Sequence, residues 1–471
     1  MKRVGNLYSD VCDINNIIDM TYEVLKSVRN KKKVINFENH FSEHIASIKY
    51  RLDNRILYIG KYNIFMISDP KDRIIMAQEI EDKIINHLIA KYGLVNVFEN
   101  KYTPFMCATR VNKGTLYGVK LLKKYLNIMK NKYNNFYVLK IDIKKYFYNI
   151  DHNILKEILR SKIKDKDMLN ILDSIIDSTN ESYVNDKIKE LKTNKINYLK
   201  EHNKLDSISN IEEIPLYKYN KGVALGCQTS QAFGVIFLYG LIHYIKEELH
   251  IKYVINYVDD IVIIHNDKEY LKYCLKCIKD ILNNKYKLEI NEKKTRIYNI
   301  NEGIDFLGYR FIIKNNKVIL KIRNRTKKNF IKRIKELNKL KEYYLLDNHD
   351  YQVNISSYKG LLKWGSCNGL LYKYEKRGSI DSVIDKYYKY RLLYSDYIII
   401  IKCGIFYECL AKDALIMNNL FNYKLNRLSN MFKIGFPLKS LDKVISVLDK
   451  KRINYIVIND KIVLKEYKNN K

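Results

Sequence analysis

The sequence predicts an α+β fold built in consecutive blocks, with a small α/β domain near its C-terminal end. Three observations carry this reading. Apolar residues recur at helical spacing over the first hundred positions, short alternating β-branched runs such as FYVLKIDI (136–143) sit between later helical stretches, and the rhythm changes after about residue 395. Of 471 residues, 47% are hydrophobic and 12% aromatic, with 17 Gly and 4 Pro. That composition excludes a disordered tail, a collagen-like repeat or a proline-rich scaffold. The length suits roughly three domains of ~150 residues, and no repeat with a period of 20 to 50 residues is visible.

Each block follows from its residues. Ile75, Ile80, Ile84, Ile85, Leu88 and Ile89 recur at helical spacing, so residues 1 to about 100 are expected to be mostly helical. FYVLKIDI reads as a strand, followed by a helix from 152 to about 178. The polar stretch at 180–220 reads as an inserted surface helix and loop. KGVALGCQTSQ (221–231) is a two-glycine turn opening into a helix to about 249. IKYVINYVDDIVIIHN (251–266) reads as two strands around a tight acidic turn, with a helix to about 283 behind it, and LEINEKKTRIYNI and GIDFLGYRFII as further strands. From 324 to 345 the pattern is a basic amphipathic helix, with Ile331, Ile334, Leu337 and Leu340 on one side and Lys327, Lys328, Arg333 and Lys335 around them.

Charge narrows the function. Lys and Arg number 85 against 52 Asp and Glu, a net +33, so a negatively charged partner is expected. MKRVGNLYSD lacks the apolar core of a signal peptide, and no window approaches the ~18 apolar residues that span a bilayer. The expectation is a cytoplasmic protein. Its basic residues are spread through folded segments, which favours nucleic acid over a membrane surface. The eight Cys are scattered, and CLKC (274–277) has no second pair nearby, so they read as reduced thiols.

Asp259 and Asp260, in YVDD, lie between the apolar runs YVIN and IVII. Adjacent carboxylates beside buried strands resist joint ionisation unless a cation neutralises them. Hard Mg²⁺ suits carboxylate and water oxygens, with substrate phosphates completing its shell. Alone, the pair is weak evidence and reads first as an ordinary solvated turn. Asp142, at the end of the strand in FYVLKIDI, changes the odds: three carboxylates would hold two ions ~4 Å apart, the arrangement that serves phosphoryl transfer.

KIDIKKYF, GVALGCQTSQ, YVDD, NEKKT and FLGYRF, in that order within about residues 100–375, resemble the successive palm motifs of a reverse transcriptase. The resemblance implies a right-hand polymerase. Its parts would be a helical region and the start of the fingers at 1–100, fingers and palm at 101–320, and a helical thumb at 321–390 that includes SYKGLLKWGSCNGL (357–370). It implies Asp142, Asp259, Asp260 and the backbone carbonyl of Ile143 as ligands of two Mg²⁺ ions, with Mn²⁺ as a substitute. Phe147 would be the aromatic gate against a ribose 2′-OH. Gly226, Ser230 and Gln231 would lie beside the incoming nucleotide and template base, and Lys294 near the triphosphate. Arg110 and Lys113, in CATRVNKGT, would contact phosphate from the fingers, and Phe306, Leu307 and Gly308 would form the primer grip. The partners implied are an RNA template, a DNA or RNA primer and dNTPs.

The Ser-Gln ending of LGCQTSQ and the compact thumb look most like bacterial group II intron-like and diversity-generating retroelement enzymes. No RNase H acid set or HNH-type Cys and His pattern is seen, which leaves diversity generation or an anti-phage role open, with a dedicated non-coding RNA and an accessory protein as further partners. Residues 396–466 resemble the mismatch-recognition domain of MutS, by Phe406-Tyr407-Glu408 and Gly435-Phe436-Pro437. That resemblance implies a base-wedging Phe406 and a base-bonding Glu408; the bland alternative packs both aromatics in a small core. Two rival classes stay open for the whole chain: a catalytically idle nucleic-acid scaffold, and an untemplated or protein-primed DNA polymerase.

Overall fold

The computed structural model describes residues 3–28, 31–56, 61–68, 71–315, 317–342, 346, 348–365, 367–374, 383–428, 431–459 and 462–467. It divides into two compact units, residues 1–307 with 311–319, and residues 308–310 with 320–471.

The first unit opens with helices Leu7–Cys12, Ile14–Ser27, Lys31–Asn39 and Phe41–Asp53. Asp13 starts the second by accepting from the amides of Asn15 and Asn16, which satisfies two of its orphan donors. An antiparallel hairpin follows, β1 (Asn63–Ile67) and β2 (Arg73–Ala77). Here the structure corrects the helical reading of Ile75. Burial alternates along β2, with Ile74 and Met76 inside, so Ile75 obeys the period of a strand and the helical spacing begins only at Ile80–Leu88. The polar insertion does form a long helix, Ser182–Glu201. Its Val184, Ile188 and Leu199 pack with Ile64, Ile74 and Met76, so one face covers the hairpin.

Strands β3 (Tyr137–Asp142), β4 (Tyr253–Tyr257), β5 (Asp260–His265) and β6 (Arg296–Asn299) form an antiparallel sheet in the order β4-β5-β3-β6. Leu139, Ile141, Ile261 and Ile263 point into the main core, shared with Phe233, Leu241, Leu271 and Ile278 of the helices behind. The alternation leaves Lys140, Asp142 and Asp260 on the opposite face.

Two helices expected to be continuous are broken. The first divides into His152–Arg160 and Lys166–Asp177. Between them, the backbone of residues 162–164 bonds both ways to Val4, and Asp165 caps the second piece through the Met168 amide. The other divides into Gln228–Ile236 and Tyr239–Glu247, with Phe237 and Leu238 buried between. A further sheet, β7 (Ile304–Phe306), β8 (Tyr309–Lys314) and β9 (Lys317–Ile322), contains the division between the units.

In the second unit the basic helix runs Asn324–Glu342, with Phe330, Ile334 and Leu337 as its buried face. Leu337 packs with Tyr351 and Ile355 of helix Asn348–Trp364. Positions 343–345, the end of the expected helix, lie outside the described residues. Further along are β10 (Ile398–Cys403), β11 (Phe406–Leu410), β12 (Asn426–Leu428), β13 (Met431–Pro437), β14 (Tyr455–Asn459) and β15 (Ile462–Tyr467), in the order β12-β13-β11-β10-β14-β15. Only the β10–β14 pair is parallel. Helices Ala411–Phe421 and Leu441–Lys450 cover one face and helix Val383–Leu393 the other. Asp413, 1% exposed, ties that second helix to the sheet by accepting from the Ile399 amide and from Arg391.

Candidate active site

The acidic residues converge through strand register. Asp142 ends β3 directly opposite Asp260, the first residue of β5. Cross-strand partners share a face at about 4.5–5.5 Å between Cβ atoms. Asp259 precedes Asp260 in the turn that closes on the Tyr257–Asp260 pair. Its carboxyl is pushed up to about 6, first by burial and then by the negative charges of Asp260 and Asp142. Crowded carboxylates of this kind call for a compensating cation.

Two lysines supply part of that compensation. The NEKKT turn docks on β3: the Asn291 amide donates to the Asp142 carbonyl at 2.7 Å, and the Asp142 amide to Thr295 Oγ1 at 3.3 Å. That docking brings Lys294 Nζ to 3.1 Å from the Asp142 carboxylate. From the other side, Lys140 Nζ lies 3.4 Å from Asp260. Among the described residues no three His, Cys, Asp or Glu side chains are arranged as a preformed metal cage. The donor chemistry nonetheless fits Mg²⁺: hard carboxylate oxygens in negative excess, beside an open cleft of about 860 Å³ that Lys71, Lys145, Asn291 and Lys294 help to line. Ile143, whose carbonyl was expected to join them, borders the same cleft.

Phe147 is half-buried and packs toward the Gly234 backbone, where an added Cβ would come within 3.0 Å of its ring. Gly226 is required by β2: at φ +121° its missing Cβ would lie 3.1 Å from the Met76 carbonyl. Gln231 is exposed, but Ser230 is only 2% exposed. Ser230, expected beside the template base, thus lies buried, its hydroxyl without a hydrogen-bond partner. In helix Gln228–Ile236 its neighbours Thr229 and Ala232–Ile236 also face the core, and Thr229 locks to Asn86 through two hydrogen bonds.

Arg110, expected to contact phosphate from the fingers, is engaged within its own loop. Its guanidinium donates to Glu99 at 2.8 Å and to the carbonyls of Thr103 (2.8 Å) and Met106 (3.0 Å), and stacks on Tyr102, leaving the side chain 8% exposed. An arginine consumed in this way braces its own loop and has no donor fork to offer phosphate. Lys113 lies over the Tyr117 ring and reaches the Pro104 carbonyl. Phe306 is fully buried, an anchor for the turn formed by Leu307 (φ +46°) and Gly308 (φ +87°). Leu307 packs close over Gly118, where an added Cβ would lie 2.9 Å from it. In the second unit, Phe406 is 41% exposed beside the Gly404–Ile405 turn, whereas Glu408 is already engaged by Lys433 at 2.9 Å.

Sequence reading missed Lys140, Lys71 and Asn256. Lys140 was legible in principle, since two positions along a strand from Asp142 is the same face. Lys71 belongs to the segment joining β1 and β2, and no motif marked it. Asn256 is a buried polar residue that looked like part of an apolar run.

A cleft of mixed lysines and carboxylates beside an antiparallel sheet, with acidic side chains at a strand end and a facing hairpin turn, fits the palm of a right-hand polymerase. Residues 68–311, just over half of the chain, match the family described as Reverse transcriptase (RNA-dependent DNA polymerase), and the chain belongs to that family. Residues 381–458 match MutS domain I. The chain is 26% identical over 284 residues to the "Putative COX1/OXI3 intron 2 protein" of Saccharomyces cerevisiae, a stretch that covers 53% of this chain and 30% of that protein. Two structures of apo telomerase from Candida tropicalis resemble it. One, truncated from the C-terminal domain, has a TM-score of 0.38 at 16% identity, covering 56% of this chain and 55% of its own. The other has 0.37 at 15%, covering 55% and 49%. The chain thus spans under a third of the yeast protein and about half of each telomerase chain, and likeness of that degree does not reach to activity or substrate. Among the described residues no helix is long and apolar enough to cross a membrane.

Proposed function

We propose that the chain is an RNA-directed DNA polymerase that extends a DNA or RNA primer on an RNA template. The observation that carries this is the register that sets Asp142 opposite Asp260 with Asp259 in the adjoining turn. These three carboxylates and the Ile143 carbonyl would hold two Mg²⁺ ions, for which Mn²⁺ substitutes. The ions supply activation of an attacking hydroxyl and neutralisation of the leaving oxygen. The chain's own residues do the rest. Lys294, paired with Asp142 in this structure, would meet the dNTP triphosphate together with Lys71 and Lys145 on the cleft rim. Phe147 lies under the sugar and disfavours a 2′-OH, and Gln231 borders the incoming base. The Leu307–Gly308 turn supports the primer end, and the basic helix Asn324–Glu342 serves as a thumb that grips the backbone without reading sequence. Phe406 is offered as a wedge against distorted duplex.

The biological setting we propose is a bacterial, cytoplasmic retroelement or a domesticated diversity-generating or anti-phage system, with a dedicated RNA and accessory protein. Extension of oligo(dT) on poly(rA) with labelled dTTP tests the reaction. Mg²⁺-dependent product from wild type and none from Asp142→Asn or Asp259→Asn is expected. An inactive wild type points to the scaffold class, and product without template to untemplated synthesis.

A further inference from the structure

The turn that carries Asp259 is held in a conformation it would not choose. Val258 has φ +56°, a left-handed backbone that a β-branched residue rarely adopts without an external restraint. The restraint is visible one residue before Tyr257. Asn256 is 1% exposed, and its side-chain Nδ2 donates to the Val258 carbonyl at 2.7 Å. Its own backbone is fixed on both sides: the amide donates to the Phe105 carbonyl at 3.0 Å, and the carbonyl accepts from the Cys107 amide at 2.9 Å. A buried amide spends its donor in this way only where something nearby needs one.

We infer that Asn256 is a positioning residue that clamps Val258 in its left-handed conformation and thereby fixes where the Asp259 carboxylate points. The inference rests on the polymerase reading for its catalytic consequence, while the clamp itself is a property of the fold. It also gives the 103–110 loop a purpose. Arg110 stiffens that loop, the loop pins the Asn256 backbone, and Asn256 holds the turn.

The test compares wild type, Asn256→Leu, which has a similar volume and no donor, and Asn256→Leu with Val258→Gly, in which the positive φ no longer strains a side chain. Hydrogen exchange of the Val258–Asp260 amides should speed by about two- to tenfold in Asn256→Leu, the opening expected for one lost hydrogen bond, while β4 and β5 keep their protection. In primer extension, kcat should fall about tenfold or more, because small misplacements at a reacting centre are costly, with KM for dTTP changed by less than about threefold. Adding Val258→Gly should recover most of that loss, which a purely structural role would not allow. Unchanged turn exchange in Asn256→Leu overturns the inference, as does a kcat loss that tracks general unfolding and is not recovered by Val258→Gly. If wild type itself makes no product, the polymerase reading fails separately and the exchange measurement still decides the clamp.

Discussion

Replacing Arg110 with Met separates a structural brace from a phosphate contact, because the two roles predict opposite pairs of results. The substitution keeps most of the side-chain volume but deletes two charge-assisted hydrogen bonds, to the Thr103 and Met106 carbonyls, and the ion pair to Glu99. Bonds from a charged donor contribute about 1.5–3 kcal/mol each. The Glu99 side chain is 37% exposed, so the ion pair adds about 1 kcal/mol at most. Allowing for water that reaches the vacated carbonyls, the loss is about 3–5 kcal/mol, within the range for breaking a buried charged network. For a unit of this size that lowers the melting temperature by roughly 5–15 °C. Far-UV circular dichroism should report that earlier transition. Primer–template affinity at low temperature should keep its salt dependence. A melting temperature unchanged to within about 1 °C, together with a salt slope reduced by about one phosphate, would refute the brace and restore the phosphate contact.

Lys294→Ala removes the ammonium beside Asp142 and should lower kcat/KM for dNTPs by about ten- to a hundredfold, measured by single-nucleotide extension, with primer–template affinity little changed. Phe147→Ala should narrow the preference for dNTPs over rNTPs while the chain stays folded, and an unaltered ratio in competition assays would count against the gate. Asp413→Ala leaves Arg391 and the Ile399 amide without their buried acceptor, and should destabilise the C-terminal module by about 3–5 kcal/mol. Faster hydrogen exchange in β10 and β14, with the β3–β5 sheet unaffected, is the expected signature.

Much of the fold was legible because its strands and helices carry the period of their own packing. FYVLKIDI and IVII lie in a sheet buried from both sides and read as strands at once, and the basic helix at 324 announced its apolar stripe. The misreadings came where long-range partners overrule local spacing. Ile75 matched a helical period by coincidence, since the element that fixes it as strand is the pairing of β2 with β1 and the cover of a helix more than a hundred residues later. The helix expected across 152–178 breaks because Val4, at the other end of the unit, bonds to the backbone of residues 162–164, and no local pattern encodes that.

The candidate site divides along the same line. Asp142, Asp259 and Asp260 were legible because negative charge beside apolar strands is anomalous wherever it occurs, and the anomaly survives without knowledge of partners. The positive residues were harder to place, because in a chain with net charge +33 a cation is the ordinary background and only burial says which ones are committed. Arg110 and Lys294 looked alike as charges near motifs. One is enclosed by Glu99 and two carbonyls, and the other stands at the cleft with 53% of its side chain exposed, facing Asp142. The residue that ties the acidic turn to its scaffold, Asn256, carries no charge at all. A reading weighted by charge was bound to pass over it, because its contribution lies in one donated hydrogen bond and a backbone angle two residues away.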